Sequence, residues 1–317
     1  MKASPKKTNK KNKEIINQKE KITKGKAIKA PKKPLKDTHP FIPSQEGYKK
    51  SVLDFNFPLI KDSFTKKIVL LVLLIASILI YLVLLFWNIP YPLLWADEGM
   101  TTMHAERVLQ FGYPKISDGK NVLYDLEHPD LNLGRDKKTD AFVGGTGWLH
   151  YYFAAPFVSI ANGYTDFYTK TTILRTAFAI IGTFGLMLFI LSLLPLFKNY
   201  SQKLTFSIIF IIICIFSVPL LLHLREVRYY SLTIFLYGAI LFIFSYHRIY
   251  GRFNKYIYLL ALTILLLLNF FSFSPAYFII TGIIATFELL NFLFFIYYQK
   301  KAFAISVRSS FNTYCRL

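Results

Sequence analysis

The chain predicts an all-α, polytopic membrane protein, on three observations. Its apolar residues gather into runs of about 20, the helical length that crosses a ~30 Å hydrocarbon core. With 54 % of 317 residues hydrophobic, it is too apolar for one soluble globule of this size. The formal net charge of +20 is uneven, most of it lying before Lys67.

Residues 1–66 are Lys-rich, Pro-punctuated and poor in large apolar side chains until Phe41. Such a segment cannot bury enough surface to offset its ordering entropy, so a disordered cytoplasmic tail is expected. Its length and polarity exclude the n-region of a cleaved signal peptide. Its lysines set orientation and lean on anionic membrane lipids. They are not interleaved with stacking aromatics or arginines, so nucleic acid is not an expected partner. Cys214 lies in an apolar run and Cys315 in the tail, in no metal or redox spacing.

The membrane module is expected over residues 67–300, with six spans near Ile68–Trp87, Ile173–Phe197, Leu204–Leu222, Tyr229–Tyr246, Tyr256–Phe271 and Ala276–Tyr297. The shorter run Trp148–Ile160 carries His150, Tyr151, Tyr152 and Pro156. If it crossed, the turns containing Lys198, Lys203, Arg248, Arg252 and Lys255 would lie outside. If it lies half-embedded on the outer face, those turns fall inside with the tail, as the positive-inside rule prefers. Its ~13 residues also suit an interfacial helix. Both ends are then cytoplasmic. The outer face collects the long loop 89–170, the corner Arg225-Glu226-Val227-Arg228 and the turn Ser272–Pro275. Residues 301–317 are expected to form a cytoplasmic turn at the start of a missing C-terminal part.

Chemistry concentrates in two places on that face. Asp97 and Glu98 follow the first span after Pro90 and Pro92, which end a helix. Gly99–Phe111 then reads as an amphipathic helix with Met100, Met103, Val108 and Leu109 toward lipid. The acids have a structural explanation, Asp97 as an N-cap and Glu98 as a first-turn acid. The second place is the corner. Arg225 and Arg228, one helical turn apart, can jointly grip a phosphate, with Tyr229 and Tyr230 following. Their structural alternatives are snorkelling at the interface and, for one of them, neutralisation by Glu226. An acid facing a cationic corner suggests proton abstraction from a hydroxyl and departure of a stabilised phosphate.

Here the chain resembles the GT-C glycosyltransferases, polytopic enzymes that use polyprenyl-phosphate sugars, and most nearly the protein O-mannosyltransferase and aminoarabinose transferase branch. The resemblance rests on Trp95-Ala96-Asp97-Glu98 after the first span, with Met103–Gln110 and Gly112-Tyr113-Pro114 beyond it. It continues through Gly147-Trp148-Leu149-His150-Tyr151-Tyr152, a helix ending at Gly163, and Leu174-Arg175-Thr176-Ala177-Phe178-Ala179. Its last piece, Arg225-Glu226-Val227-Arg228-Tyr229-Tyr230-Ser231-Leu232, is close to the family's R-x-x-R-x-Y/D-x-L corner. The resemblance covers roughly Ile68 to Tyr297. It implies a GT-C-like helical bundle whose long first outer loop carries juxtamembrane helices, with Asp97 as catalytic base and Glu98 as its partner. The family's Pro-Pro-Leu type motif is absent from Gly144–His150. Glu127-His128-Pro129 lies earlier, leaving Glu127 and His128 open as an acid and a ligand, or as a turn.

The expected reaction is inverting transfer from a polyprenyl-phosphate sugar donor to a lipid, glycan or protein hydroxyl. Asp97 would be the general base, with Arg225 and Arg228 on the donor phosphate. His104, Glu127, His128 and Tyr229 are further candidate contacts. No spacing compels a cofactor, and a divalent metal ion is open, since Asp97, Glu98 and His104 or His128 could supply hard ligands to one. His223 could touch a headgroup or be a satisfied interfacial histidine. Glu288, inside an apolar run, is a functional candidate by default or pairs with a neighbouring span, and Asn269 reads as interhelical glue. The competing reading is a transporter or lipid flippase. It would want internal repeats and charged or broken helices near the midplane, and the sequence shows no repeat.

Overall fold

The computed structural model describes residues 64–123, 134–144 and 147–314, with side chains as far as Tyr297. All of these lie in one compact unit, Lys61–Leu317. The tail expected over residues 1–66 lies almost wholly outside the described residues, as do Glu127 and His128.

The described chain is a helical bundle. Helix α1, Phe64–Phe86, buries Ser77, Tyr81 and Leu85, a stripe at fourfold spacing, and leaves its other faces apolar and exposed. The chain then turns through Asn88–Pro90. Helix α2, Ala96–Phe111, stops at Gly112, whose φ of 80° lets its N–H reach the Val108 carbonyl at 2.8 Å. A two-stranded antiparallel ribbon follows, β1 (Gly134–Arg135) with β2 (Phe142–Val143). Helix α3, Leu149–Ala161, has 13 residues, or roughly 20 Å, too short to cross a bilayer core.

Helix α4, Phe167–Leu193, is capped by Asp166, whose carboxylate accepts from the Thr169 backbone N–H at 2.8 Å. Helix α5 is Tyr200–Phe216, α6 Val218–Arg225, α7 Tyr229–Arg248, α8 Lys255–Ser272 and α9 Ser274–Tyr314. Five helical stretches are long and apolar enough to cross a membrane: Phe64–Phe86, Phe167–Leu196, Tyr229–Arg248, Lys255–Ser272 and Ser274–Tyr297. The protein is therefore an all-α, multi-pass membrane protein.

Two expectations about helix extent change. The run Leu204–Leu222 is not one straight span. It breaks at Ser217, and α5 and α6 meet at 80°. Pro219 has no N–H to continue the α5 ladder and sits in the first turn of α6, where none is needed, so the chain turns there. Counting the bent pair as one gives up to six spans. At the other terminus, α9 continues as helix to Tyr314, through residues where a turn was expected.

Alternation of direction brings the ends of α1, α5 and α8 together with the starts of α4, α7 and α9. Helices α2 and α3 lie across this end. Ala105, Val108, Tyr151, Ala154 and Val158 form a core with Leu174 and Phe178 of α4. Val108 is thus inside the protein, because α2 buries the stripe Thr101, His104, Ala105 and Val108. Met103 and Leu109 remain exposed. The closest helix pair is α4 with α7. A Cβ added to Gly185 would sit 2.6 Å from the Phe235 backbone, so only glycine allows this approach. At the opposite end, Tyr250 donates to the Ser192 carbonyl at 3.0 Å, and Arg248 pairs with Glu288 through Nε–Oε1 at 2.6 Å. Glu288 is thus partnered by a neighbouring span. Asn269 on α8 is fully buried, and its amide makes no hydrogen bond to the described residues.

Candidate functional site

Asp97 and Glu98 are neighbours in the first turn of α2, with Trp95 at the N-cap, so neither acid is the cap itself. Helical geometry sends adjacent side chains about 100° apart. Their surroundings differ accordingly.

Glu98 points inward and is fully buried. Arg175 of α4 grips it with both edges of a fork, Nε to Oε1 at 3.0 Å and Nη2 to Oε2 at 2.6 Å. The backbone N–H of Val227 donates to Oε1 at 3.0 Å and that of Trp95 to Oε2 at 3.3 Å. Both carboxylate oxygens are taken. Arg175 spends its remaining nitrogen on the Ile89 and Pro92 carbonyls, at 2.9 and 2.6 Å. Charge and hydrogen bonds are thus balanced within a dry site. One carboxylate ties together the start of α2, the loop after α1 and the corner before α7.

Asp97 points outward. Its Oδ2 forms an ion pair with Arg228 Nη1 at 2.8 Å, with the two side chains 36 % and 22 % exposed. Oδ1 has no hydrogen-bond partner among the described residues. The Arg228 guanidinium carbon lies 5.4, 5.1 and 5.3 Å from the rings of Trp95, Tyr229 and Tyr230. These three faces hold the cation by its attraction to π density and fix where it sits. Beyond Asp97, its Nη1 donates to the Tyr230 hydroxyl at 3.4 Å. Among the described residues its Nε and Nη2 have no hydrogen-bond partner. Tyr229 stacks on Phe273 at 4.2 Å, joining the corner to the turn between α8 and α9.

The arginine pair does not form as the helical spacing suggested. Helix α6 ends at Arg225, Glu226 and Arg228 are extended, and no helical turn links the two guanidiniums. Arg225 reaches the Trp87 carbonyl at 3.4 Å, while Arg228 faces Asp97. Glu226 pairs with His223, Nδ1 to Oε2 at 3.0 Å, and not with an arginine.

His104 lies one layer deeper, fully buried between Phe142 and Tyr151 at ring distances of 4.5 and 4.9 Å. Burial, then the nearby Arg107 charge, holds its pKa down to about 4. His150 is buried 4.0 Å from Tyr151 and 5.9 Å from Tyr229, ring to ring. Burial first, then His104 and Arg228, push its pKa down to about 3. Both imidazoles are neutral at pH 7. Neither ring nitrogen of His104 has a hydrogen-bond partner, and His150 Nδ1 likewise has none.

The described residues do not fit a divalent ion. Asp97 serves Arg228, Glu98 is saturated, and His104 is walled off beside a cation. Among the described residues no three His, Cys, Asp or Glu side chains converge as a metal site. Sequence reasoning missed the role of Arg175. A signal was available, because a lone arginine inside an apolar run demands a buried acid. Glu98 is the acid it finds.

These features define a class, a multi-pass helical bundle with an open acid–arginine pair at one end. No family model matches the chain, and neither a curated protein nor a solved structure matches it.

Proposed function

We propose that the chain is an inverting membrane glycosyltransferase that moves a sugar from a polyprenyl-phosphate donor to a hydroxyl acceptor on the non-cytoplasmic face. One observation carries the reading: a half-exposed carboxylate, Asp97, held 2.8 Å from a guanidinium, Arg228, that keeps a free edge. The sidedness follows from charge. Lys198, Lys203, Arg252 and Lys255 lie in the turns at the opposite end, which the positive-inside rule assigns to the cytoplasm.

The donor phosphate docks on the free edge of Arg228, and its lipid tail stays in the bilayer beside the bundle. The acceptor hydroxyl approaches Asp97 Oδ1. Asp97 takes its proton as the oxygen attacks the anomeric carbon. The bond from that carbon to the phosphate oxygen breaks, and the guanidinium stabilises the charge left on the phosphate. Glu98 and Arg175 take no part in bond making. Through Val227 and Trp95, each next or next but one to an active group, they set the spacing between base and cation.

The test is transfer of labelled sugar from a polyprenyl-phosphate donor by the full chain in proteoliposomes. Asp97→Asn removes the proton acceptor and lowers the rate by about 100-fold or more. An active Asp97→Asn variant overturns the reading.

A further inference from the structure

The corner that supplies Arg228 also carries a carboxylate–imidazole dyad. Glu226 Oε2 lies 3.0 Å from His223 Nδ1, with the side chains 19 % and 44 % exposed. A carboxylate on one ring nitrogen fixes ring orientation and tautomer and presents the other nitrogen for exchange. No hydrogen-bond partner is found for Nε2 among the described residues. The ring packs on Tyr230 at 4.4 Å, and the same tyrosine meets the Arg228 guanidinium at 5.3 Å. The dyad and the anion-holding cation thus share one aromatic wall. The backbone beneath is clamped, because the Ser231 hydroxyl lies 3.2 Å from the His223 carbonyl and 2.5 Å from that of Leu224.

We infer that His223 is the acid of this site. Its Nε2–H hydrogen-bonds the phosphate held by Arg228 and gives it a proton as the glycosidic bond breaks, and Glu226 is the positioning residue behind it. The inference rests on the glycosyl-transfer reading for the step and on the corner's geometry for the phosphate contact. The balance is complete. The donor is a phosphodiester monoanion. The acceptor oxygen bonds to the anomeric carbon, its proton goes to Asp97, and the carbon–oxygen bond to phosphate breaks with its electron pair going to oxygen. The proton from His223 makes the departing lipid phosphate a monoanion. Asp97 then loses a proton to water, and His223 regains one.

The charged and titratable groups around His223 are few. Glu226 shares its corner. Arg228 stands just before α7 and Tyr230 in its first turn, and Asp97 of α2 lies behind Arg228. Arg225 follows His223 two residues later on α6 and turns to the Trp87 carbonyl of the loop after α1. Glu98 and Arg175 beneath offset each other.

Two measurements on the full chain in nanodiscs test this. The first is binding of farnesyl phosphate against pH, which needs no turnover. His223→Gln binds about tenfold more weakly than wild type at pH 6, the worth of one charge-assisted hydrogen bond, and equally at pH 8.5. Glu226→Gln moves the same way by a smaller factor, and both variants keep the wild-type melting temperature. Equal binding by wild type and His223→Gln across the range overturns the inference, whether or not any sugar is transferred. The second is the pH profile of transfer. His223→Gln lowers kcat about 100-fold with little change in KM and loses the alkaline limb that wild type shows. If Asp97→Asn is dead while His223→Gln keeps both rate and limb, glycosyl transfer stands and the acid role falls. If wild type transfers nothing yet binds phosphate in a His223-dependent way, the transfer reading falls and the phosphate contact stands.

Discussion

Asp97 and Glu98 are consecutive acids, each paired with an arginine, yet the two pairs do opposite work. Glu98–Arg175 is dry, bidentate and fully bonded. Asp97–Arg228 is partly wet, held through a single ion-pair contact, and has unused donors and acceptor. The difference teaches that a charged pair is read by what remains unsatisfied. A saturated pair holds a fold, and an unsaturated one can receive a ligand.

Four perturbations sharpen or break that contrast. The largest effect is on activity: Asp97→Asn removes transfer by about 100-fold or more but changes stability by only about 1 kcal/mol or less, since its pair is solvent-screened. A melting shift as large as that of the Glu98 variant would erase the distinction. Next, Glu98→Ala leaves Arg175 buried without a counter-ion and costs about 3–5 kcal/mol, measured by thermal unfolding in detergent. An Ala variant that melts like wild type would show that the knot is not closed in solution.

The third concerns pH and the neutral histidines behind the site. Both fold with pKa values below the ordinary 6.5, to about 4 for His104 and about 3 for His150. The unfolded chain therefore binds protons that the folded chain refuses. Stability is undiminished above about pH 6.5 and falls as pH drops toward 4, by about 3 kcal/mol for His104 alone. His104→Phe removes its share of that slope in unfolding scans from pH 7 to 4 and leaves that of His150, and an unchanged slope overturns the assignment. The smallest effect is at the far end. Glu288→Gln weakens the half-exposed pair with Arg248 and costs about 1 kcal/mol or less, with transfer unaffected.

Much of the architecture was legible in the sequence because bilayer thickness acts on composition and length alone. Runs of apolar residues gave the spans, and the 13-residue run now forming α3 was too short to be one. The break at Ser217–Pro219 was harder to read, because Val218, Pro219 and Leu220 are all compatible with an apolar window. The pairing of Glu98 was hidden for another reason. Its partner Arg175 lies 77 residues away, and periodicity carries no record of contacts at that range. The split between the two arginines of the corner was likewise invisible, since spacing says nothing about whether a helix continues between them. Val108 was misassigned by counting hydrophobicity without knowing that α3 would cover that face.

The glycine contact between α4 and α7 has a consequence for the working end of the molecule. Arg175 lies ten residues upstream of Gly185 on one rod, and Arg228 stands immediately before the other rod begins. Because the two rods touch backbone to backbone, they behave as a single plate, and its rim sets the gap between proton acceptor and cation. A methyl group wedged at Gly185 would pry the plate open and widen that gap from roughly 15 Å away, without altering any residue that meets a substrate.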